Sequence, residues 1–301
     1  PPSPTPYGMA GRSARRLERF RERSARFLDE AQPPRHNNRP MNRRVSYVQT
    51  FMPDGTPEGF LSALDCALRA GAEAAVEDCQ AGVQGLLFGR IERVGGDAET
   101  AARVLERARR IISTAAARRV YYAALSEVAG AGATALAYLR LGFELGAVLD
   151  DFQADDRVRR MHALASRVGG EIHRLKGLLR FRRLDDGSWW APAEPDHRVL
   201  LPVAHHFRRR MPGERWVLHD VRRNAAVVWD GRELREADAS ALWESGAPRL
   251  NPKERSTEDL WRAFFRRIAV PGRENPALQA RHMPRRYWKH LVELCESPRE
   301  S

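Results

Sequence analysis

The chain has 301 residues and a formal net charge of +12, from 51 lysines and arginines against 39 aspartates and glutamates. Apolar residues make up 43% of the composition, which excludes a disordered chain of low hydrophobicity. The three cysteines share no short metal-ligand spacing, which indicates a reducing, cytoplasmic setting without a disulfide framework. A basic protein of this kind is expected to bind a polyanion, with nucleic acid as the first candidate.

The positive charge is concentrated at the two ends of the sequence. Residues 1–46 contain 11 basic and 4 acidic residues, residues 47–156 contain 10 and 16, and residues 157–301 contain 30 and 19. The middle of the chain is therefore acidic, and a polyanion is expected to bind the N-terminal arm or the C-terminal half. The most apolar run, residues 128–139, has only 12 residues, so no membrane partner is predicted.

The first half of the chain predicts a basic arm followed by a mainly helical lobe. Residues 1–42 are rich in proline and arginine and are predicted to be a disordered arm. A small pair of strands is predicted at residues 45–51 and 85–94. Capping residues and apolar spacing predict helices that open at Thr56 or Glu58, at Asp97, and over residues 120–128, 134–150 and 155–176.

After Gly177 the apolar spacing changes from the helical period to strand-like alternation. Two hairpins are predicted around the turn signals at 185–187 and 222–224, with a helix opened by Asp196 between them. The resulting β-β-α-β-β order over 178–235 predicts a mainly antiparallel sheet with a helix on one face. Two C-terminal helices follow, one at 285–296 and one with an apolar stripe of Leu260, Trp261, Phe264, Phe265 and Ile268.

These elements predict an α+β fold with three parts. They are the arm at 1–42, a mainly helical lobe with its strand pair at 43–177, and an antiparallel sheet lobe with C-terminal helices at 178–301. The alternative is that residues 43–301 form one compact unit.

No nucleotide-binding glycine loop, zinc-protease helix, nucleophile elbow or paired CxxC is present, and neither a cofactor nor a metal site is predicted. The densest group of titratable side chains predicts general acid–base chemistry; its members are Glu194, His197, His206, His219 and Asp220. The alternative is that these residues serve as helix caps, turn residues and histidines bonded to backbone.

Basic side chains at two places in the C-terminal half predict phosphate contacts. One group lies where the 155–176 helix meets the next strand, and the other begins the last helix. The predicted nucleic-acid-binding residues are His173, Lys176, Arg180, Arg182, Arg285, Arg286 and Lys289. The alternative for both groups is a solvated, charged surface.

Several short sequence motifs occur in a fixed order along the chain, and together they carry a family resemblance. They are Ala137-Tyr-Leu-Arg-Leu-Gly-Phe143, Glu171-Ile-His-Arg-Leu-Lys-Gly-Leu-Leu-Arg-Phe181, Glu194-Pro-Asp-His197, Trp216-Val-Leu-His-Asp220 with Arg223 and Ala225, Leu260-Trp-Arg-Ala-Phe-Phe265, Asn275-Pro-Ala-Leu-Gln279, and Met283-Pro-Arg-Arg-Tyr-Trp-Lys289. With these motifs the chain resembles an uncharacterised bacterial family of DNA-metabolism proteins over nearly all of residues 45–295.

This resemblance implies a role in DNA metabolism or repair. Family members occur beside a radical-SAM DNA-repair protein, and some are fused ahead of a domain similar to uracil-DNA glycosylases. The chain lacks a CxxxCxxC cluster motif and a glycosylase-like domain, so radical-SAM or glycosylase chemistry is expected of a separate partner. The family has no established catalytic residues.

The sequence therefore predicts a DNA-binding accessory protein that works with a separate enzyme. The first alternative is an enzyme that acts on DNA or a nucleotide through the acid–base residues or a metal bound by them. A second alternative is an interaction scaffold whose acidic lobe at 47–156 docks a basic partner.

Overall fold

The computed structural model describes residues 48–77, 90–243, 248–270, 272–273 and 275–295. The predicted arm at 1–42 lies outside these residues, as do the first residues of both predicted N-terminal strands. Helices and two sheets occur together, so the predicted α+β class is confirmed.

The first sheet has three parallel strands where the sequence predicted two. β1 (Gln49–Pro53) lies between β2 (Ala74–Val76) and β3 (Arg90–Val94). β2 was missed because alternation is recognisable only over about four residues or more. α1 (Pro57–Ala70) follows β1, and the hydroxyl of its N-cap Thr56 accepts a hydrogen bond from the amide of Gly59.

α1 packs on this sheet, and four further helices follow in the chain: α2 (Ala98–Ile111), α3 (Thr114–Ala124), α4 (Ala131–Leu145), which contacts β2, and α5 (Asp156–Leu178). Asp97 caps α2 as predicted. α4 continues as a 3-10 helix over Gly146–Asp151, and the joint segment is long and apolar enough to cross a membrane. Half of that segment is buried inside the protein, so packing in the core accounts for its composition.

The second sheet has five adjacent strands: β4 (Arg182–Arg183), β5 (Trp189–Ala193), β6 (Trp216–Asp220), β7 (Ala225–Trp229) and β8 (Leu234–Asp238). Its strand pairs are antiparallel except β5 and β6, which are joined through α6 (Leu200–Arg210) and run parallel. A connecting helix returns the chain to the starting end of the sheet, which explains the parallel pair. The predicted β-β-α-β-β unit therefore gains a strand and is mixed.

Two local predictions in this lobe were wrong. The first strand was expected to begin at about residue 178, where the predicted β-β-α-β-β unit starts, but Leu179 and Phe181 pack into the core before β4 begins. Asp196 was expected to cap α6, yet Val199 occupies that position and the Asp196 carboxylate pairs with Arg286 instead.

The C-terminal part contains α7 (Glu254–Ile268) and α8 (Pro276–His282). A 3-10 helix over Arg285–His290 replaces the α-helix predicted for 285–296. The indole of Trp288 donates a hydrogen bond to the carbonyl of Met283, which closes this tight turn.

Apolar burial forms two cores that share α5. The first lies between the first sheet and helices α1 to α5, and it includes Met161. The second lies between α5, α6 and one face of the second sheet, with Ile172 and Leu175 on α5 and Trp216 on β6. α5 packs in both cores, and α3 does so too, with Val120 in the first core and Tyr121 and Tyr122 against the second, so both helices connect the two halves. The division of the chain at residue 177 stays a prediction.

Candidate nucleic-acid interface

Glu171 is a buried carboxylate that joins three separate parts of the chain. It lies on α5 and accepts hydrogen bonds from the backbone amides of Asp196 and His197, at 2.9 and 2.8 Å. The hydroxyl of Tyr287 and a guanidinium nitrogen of Arg286 donate to the same carboxylate. Burial and the bond to Glu171 raise the pKa of Tyr287 to about 12. The network holds the loop after β5 and the C-terminal 3-10 helix against α5.

Two of the predicted catalytic residues, His197 and Asp220, are buried and have structural partners. The Nδ1 atom of His197 accepts a hydrogen bond from the amide of Glu127 at 3.3 Å, and burial lowers the pKa of its imidazole. Asp220 accepts from the amide of Arg223 and, at 2.7 Å, from its guanidinium. That guanidinium also donates to two backbone carbonyls in the loop after β5. Asp220 therefore holds this loop through Arg223.

Glu194 contacts two side chains of the C-terminal 3-10 helix. Its Oε1 atom forms an ion pair with Nζ of Lys289 at 2.6 Å. The same oxygen lies 3.3 Å from Nε2 of His290. The bond to Lys289 lowers the pKa of Glu194. Burial lowers the pKa of His290. A carboxylate and an imidazole are thus in contact, as an acid–base pair requires.

His219 lies on the face of the second sheet opposite Trp216, between two tryptophan rings. Its ring is 6.2 Å from Trp190 and 5.4 Å from Trp243, measured between centroids. Both ring nitrogens are buried without a hydrogen-bond partner among the described residues, and burial lowers the pKa of the imidazole.

His206 occupies a third environment, on α6 beside the end of α5. Burial lowers the pKa of its imidazole, and the charges of Lys176, Arg210 and Arg209 lower it further. The structure therefore brings Glu194 and His219 into the neighbourhood of His290 but leaves His206 elsewhere. In the part of the chain that the structure describes, no three His, Cys, Asp or Glu side chains are arranged to hold a metal ion.

Four of the seven predicted nucleic-acid-binding residues form internal ion pairs. The pairs are Arg180 with Glu293, Arg182 with Glu258 at 3.0 Å, Arg286 with Asp196 at 2.8 Å, and Lys289 with Glu194 at 2.6 Å. The Glu293 side chain is 1% exposed, so moving Arg180 to a phosphate would leave a buried charge unpaired. A phosphate would have to compete with these carboxylates.

The other three predicted residues have no carboxylate partner among the described residues. The guanidinium of Arg285 lies over the Trp288 ring, 5.6 Å from its centroid. His173 is exposed on α5, and Lys176 is half-buried in the last turn of the same helix.

Lys176 lies near a group of arginines that were not among the predicted site residues. The last turn of α6 carries Arg208, Arg209 and Arg210, all exposed and without an ion pair to a described residue. We call these three arginines, with Lys176 and His206, the basic cluster. Phe207 anchors α6 by packing edge-on against Phe181 at 4.9 Å, so the neighbouring arginines point away from the core.

The cluster lies where two helices present their C-terminal ends. The partial negative charge of a helix C-terminus stabilises nearby cations, so the basic side chains are held together without carboxylates. The signal in the sequence was the run of three arginines at 208–210, which directly follows His206 and Phe207.

Comparison with known protein families shows that the basic cluster and the Glu171 network lie within one family domain. Residues 129–293 match the family model described as a domain of unknown function, DUF4130, which covers more than half of the chain. The matched region begins just before α4 and includes both helices of the basic cluster and the Glu171 network. No curated protein and no solved structure matches the chain. The protein therefore belongs to the DUF4130 family.

Proposed function

We propose that this protein binds DNA through the basic cluster and acts in DNA metabolism together with a separate enzyme. The observation that carries the proposal is the set of Lys176, Arg208, Arg209 and Arg210, whose charges have no carboxylate partner among the described residues. Phosphates bind such cations with release of counterions, and arginine contacts two phosphate oxygens at once. The resemblance to DNA-metabolism proteins supports DNA as the polyanion.

The decisive measurement is the affinity for labelled single-stranded and duplex DNA between about 50 and about 200 mM salt. The double variant Arg209→Ala/Arg210→Ala is expected to lower the affinity roughly tenfold and to make the slope of log affinity against log salt shallower by about 1.8. The slope reports the number of phosphate contacts, so it separates lost contacts from general weakening.

The matched control is Arg90→Ala/Arg93→Ala, which removes the same charge from exposed arginines of β3 that have no ion pair to a described residue. This control is expected to leave affinity and slope within twofold of the wild type. Equal losses in both double variants would show that total charge, and not the basic cluster, governs binding. Absence of binding by the wild-type chain at low salt would reject the proposal.

The partner enzyme in this proposal comes from the resemblance, which points to a radical-SAM or glycosylase-type protein. The expectation is a complex with a radical-SAM protein of the kind found beside family members, detected by co-elution of the two purified proteins. Separate elution at micromolar concentrations would leave DNA binding intact but remove this partner.

An enzyme is the second candidate, and the contact between Glu194 and His290 favours it. His219 lies nearby, and its two nitrogens have no hydrogen-bond partner in the described part of the chain. An imidazole of lowered pKa, as in His290, is neutral and able to accept a proton at physiological pH. Two cavities of about 540 and 580 Å³ are lined by none of the predicted catalytic residues. Product formation from DNA or nucleotides that disappears in His290→Ala would establish this function, and no product from the wild type would remove it.

A further inference from the structure

The helix α7 packs on the rest of the protein with its charged side instead of its apolar side. Buried Glu254 accepts a hydrogen bond from the amide of Arg183 at 3.1 Å. One turn later, Glu258 forms ion pairs with Arg182 at 3.0 Å and Arg262 at 3.3 Å. The guanidinium of Arg262 also donates to the carbonyl of Val292. These contacts attach the helix by polar bonds and direct its opposite side to solvent.

Four large apolar residues of α7 are exposed, and we call them the α7 outer face. Leu260, Phe264 and Ile268 lie opposite Glu258, and Trp261 lies at the edge, where its indole donates a hydrogen bond to Glu293 at 3.1 Å. The exposed fractions are 73% for Leu260, 41% for Trp261, 52% for Phe264 and 57% for Ile268. The positions 260, 264 and 268 recur every four residues and form one ridge, and Trp261 contacts Phe264 with 5.6 Å between ring centroids. A contiguous apolar surface of this kind is unusual on a monomer and is typical of an interaction site.

The charges around the α7 outer face are positive. The acidic residues on the inner side are paired: Glu258 lies between Arg182 and Arg262, and Asp259 pairs with Arg262. By contrast, Arg266 and Arg267 are exposed in the last turn without an ion pair to a described residue, and Arg267 follows Leu260 by two helical turns on the same side. This charge disfavours the basic N-terminal residues 1–46, and equally a second copy of the same surface, as the occupant.

We propose that the α7 outer face docks an amphipathic helix of a partner protein whose apolar side is flanked by aspartate or glutamate. The ridge at four-residue spacing fits between the side chains of a second helix, and the arginines at its end pair with the acidic flank. Electrostatic attraction would accelerate association, and burial of Phe264 and Trp261 would supply most of the affinity.

The docking face also lies close to the basic cluster. The guanidinium of Arg180 is 5.7 Å from the Trp261 ring centroid and donates to the carbonyl of Gly177, the residue after Lys176. A partner on α7 would therefore stand beside DNA held at the ends of α5 and α6. This inference rests on the proposed function only for the expectation of a protein partner, and its observations are independent of DNA binding.

The experiment uses the full chain and a labelled 15-residue peptide, the length of α7, made of leucine, alanine and glutamate with all leucines on one helical face. Two control peptides have the same leucines scrambled around the helix, or lysine in place of glutamate. Fluorescence anisotropy is expected to show binding of the acidic amphipathic peptide at least about tenfold tighter than of either control.

Protein variants locate the binding site. Phe264→Asp replaces an exposed residue, so the fold is expected to remain intact, and it should weaken peptide binding about tenfold. The matched control is Val221→Asp, which introduces the same charge at a residue that lies outside α7 and is 41% exposed. This control should leave the affinity for the peptide unchanged. DNA affinity should be unchanged in Phe264→Asp, so failure of docking and failure of DNA binding are distinguishable.

Three outcomes would overturn the proposal. One is equal binding of the acidic, scrambled and lysine peptides, and another is unchanged acidic-peptide binding in Phe264→Asp. The third is concentration-dependent dimerisation of the wild type, abolished by Phe264→Asp in sedimentation, which would assign the α7 outer face to a second copy of the chain.

Discussion

At the residue scale, Glu171 is a buried carboxylate with four polar partners. Its carboxylate receives two backbone amides, a tyrosine hydroxyl and a guanidinium from segments distant in sequence. Removing one member of such a buried network leaves the other polar groups without a partner, which costs more than the net stabilisation of the intact bonds. Glu171 therefore has a structural role, which accounts for its presence in the motif at residues 171–181.

Glu171→Gln should lower the free energy of unfolding by roughly 3 kcal/mol, because the amide loses the charge and directs N–H groups at existing donors. Urea denaturation followed by circular dichroism measures the change. Glu99→Gln is the control, since that carboxylate is 82% exposed in its ion pair with Arg103 and should cost under about 0.5 kcal/mol. A loss below about 1 kcal/mol for Glu171→Gln would contradict the structural role.

His219 should make the protein less stable in mild acid. Burial lowers the pKa of its imidazole in the folded state, His290 lowers it further, and Asp220 partly opposes the shift. Below the unfolded pKa of about 6.5 the unfolded chain binds more protons than the folded one, so the free energy of unfolding falls as the pH falls. Above that pH the imidazole is neutral in both states and has no such effect.

His219→Leu should stabilise the protein by about 1 kcal/mol near neutral pH, because it removes two buried nitrogens that form no hydrogen bond to any described residue. It should also reduce the loss of stability between about pH 7 and about pH 5. The urea midpoint at the two pH values measures both effects. His197→Leu is the contrast, since it leaves the amide of Glu127 without its acceptor and should destabilise at either pH. Destabilisation by His219→Leu at neutral pH would mean that the imidazole has a favourable contact.

At the element scale, local signals predicted the helices better than the strands. Thr56 and Asp97 cap helices where the sequence placed them, because a cap depends only on residues within one turn. Two strands were not predicted. β2 is only three residues long, and β8 is an edge strand whose pairing with β7 depends on the folded sheet. The apolar stripe of α7 was found, but a periodic pattern predicts a buried face, and four of its five residues are exposed while only Phe265 is half-buried.

Helix glycines provide a test of packing between elements. An added Cβ at Gly132 on α4 would lie 2.7 Å from a methyl carbon and 3.0 Å from the carbonyl oxygen of Val76 on β2. Gly132→Ala should therefore cost roughly 1–3 kcal/mol by overpacking. Gly177→Ala in the last turn of α5 meets no atom within 4 Å and should stabilise by up to about 1 kcal/mol. Thermal unfolding measures both, and the same sign for the two variants would contradict this packing.

At the scale of the whole molecule, charge is separated into an acidic middle and two basic regions. Residues 1–42 contain nine arginines and four acidic residues. Their net positive charge would attract a polyanion even without a folded binding site. The basic cluster contributes about four further charges in a defined arrangement. Salt dependence separates these contributions because each phosphate contact adds about 0.9 to the slope.

A chain of residues 43–301 should still bind DNA, with a slope near −3.6 for four contacts and a weaker overall affinity than the full chain. Adding Arg209→Ala/Arg210→Ala to this truncation should reduce the slope to about −1.8. Anisotropy titrations over the same salt range as above provide the values. Loss of all binding on truncation would assign DNA contact to the arm alone.

The sequence by itself determined the α+β class, most helix positions, the two hairpin turns and the segregation of charge, because these depend on neighbouring residues. Only the tertiary structure decided which cations are available. Arg180 meets Glu293 and Arg182 meets Glu258 across large separations in sequence, whereas the arginines of α6 meet no acid among the described residues. A residue's type sets its charge, but its neighbours in space determine whether that charge is neutralised inside the protein or remains for a ligand.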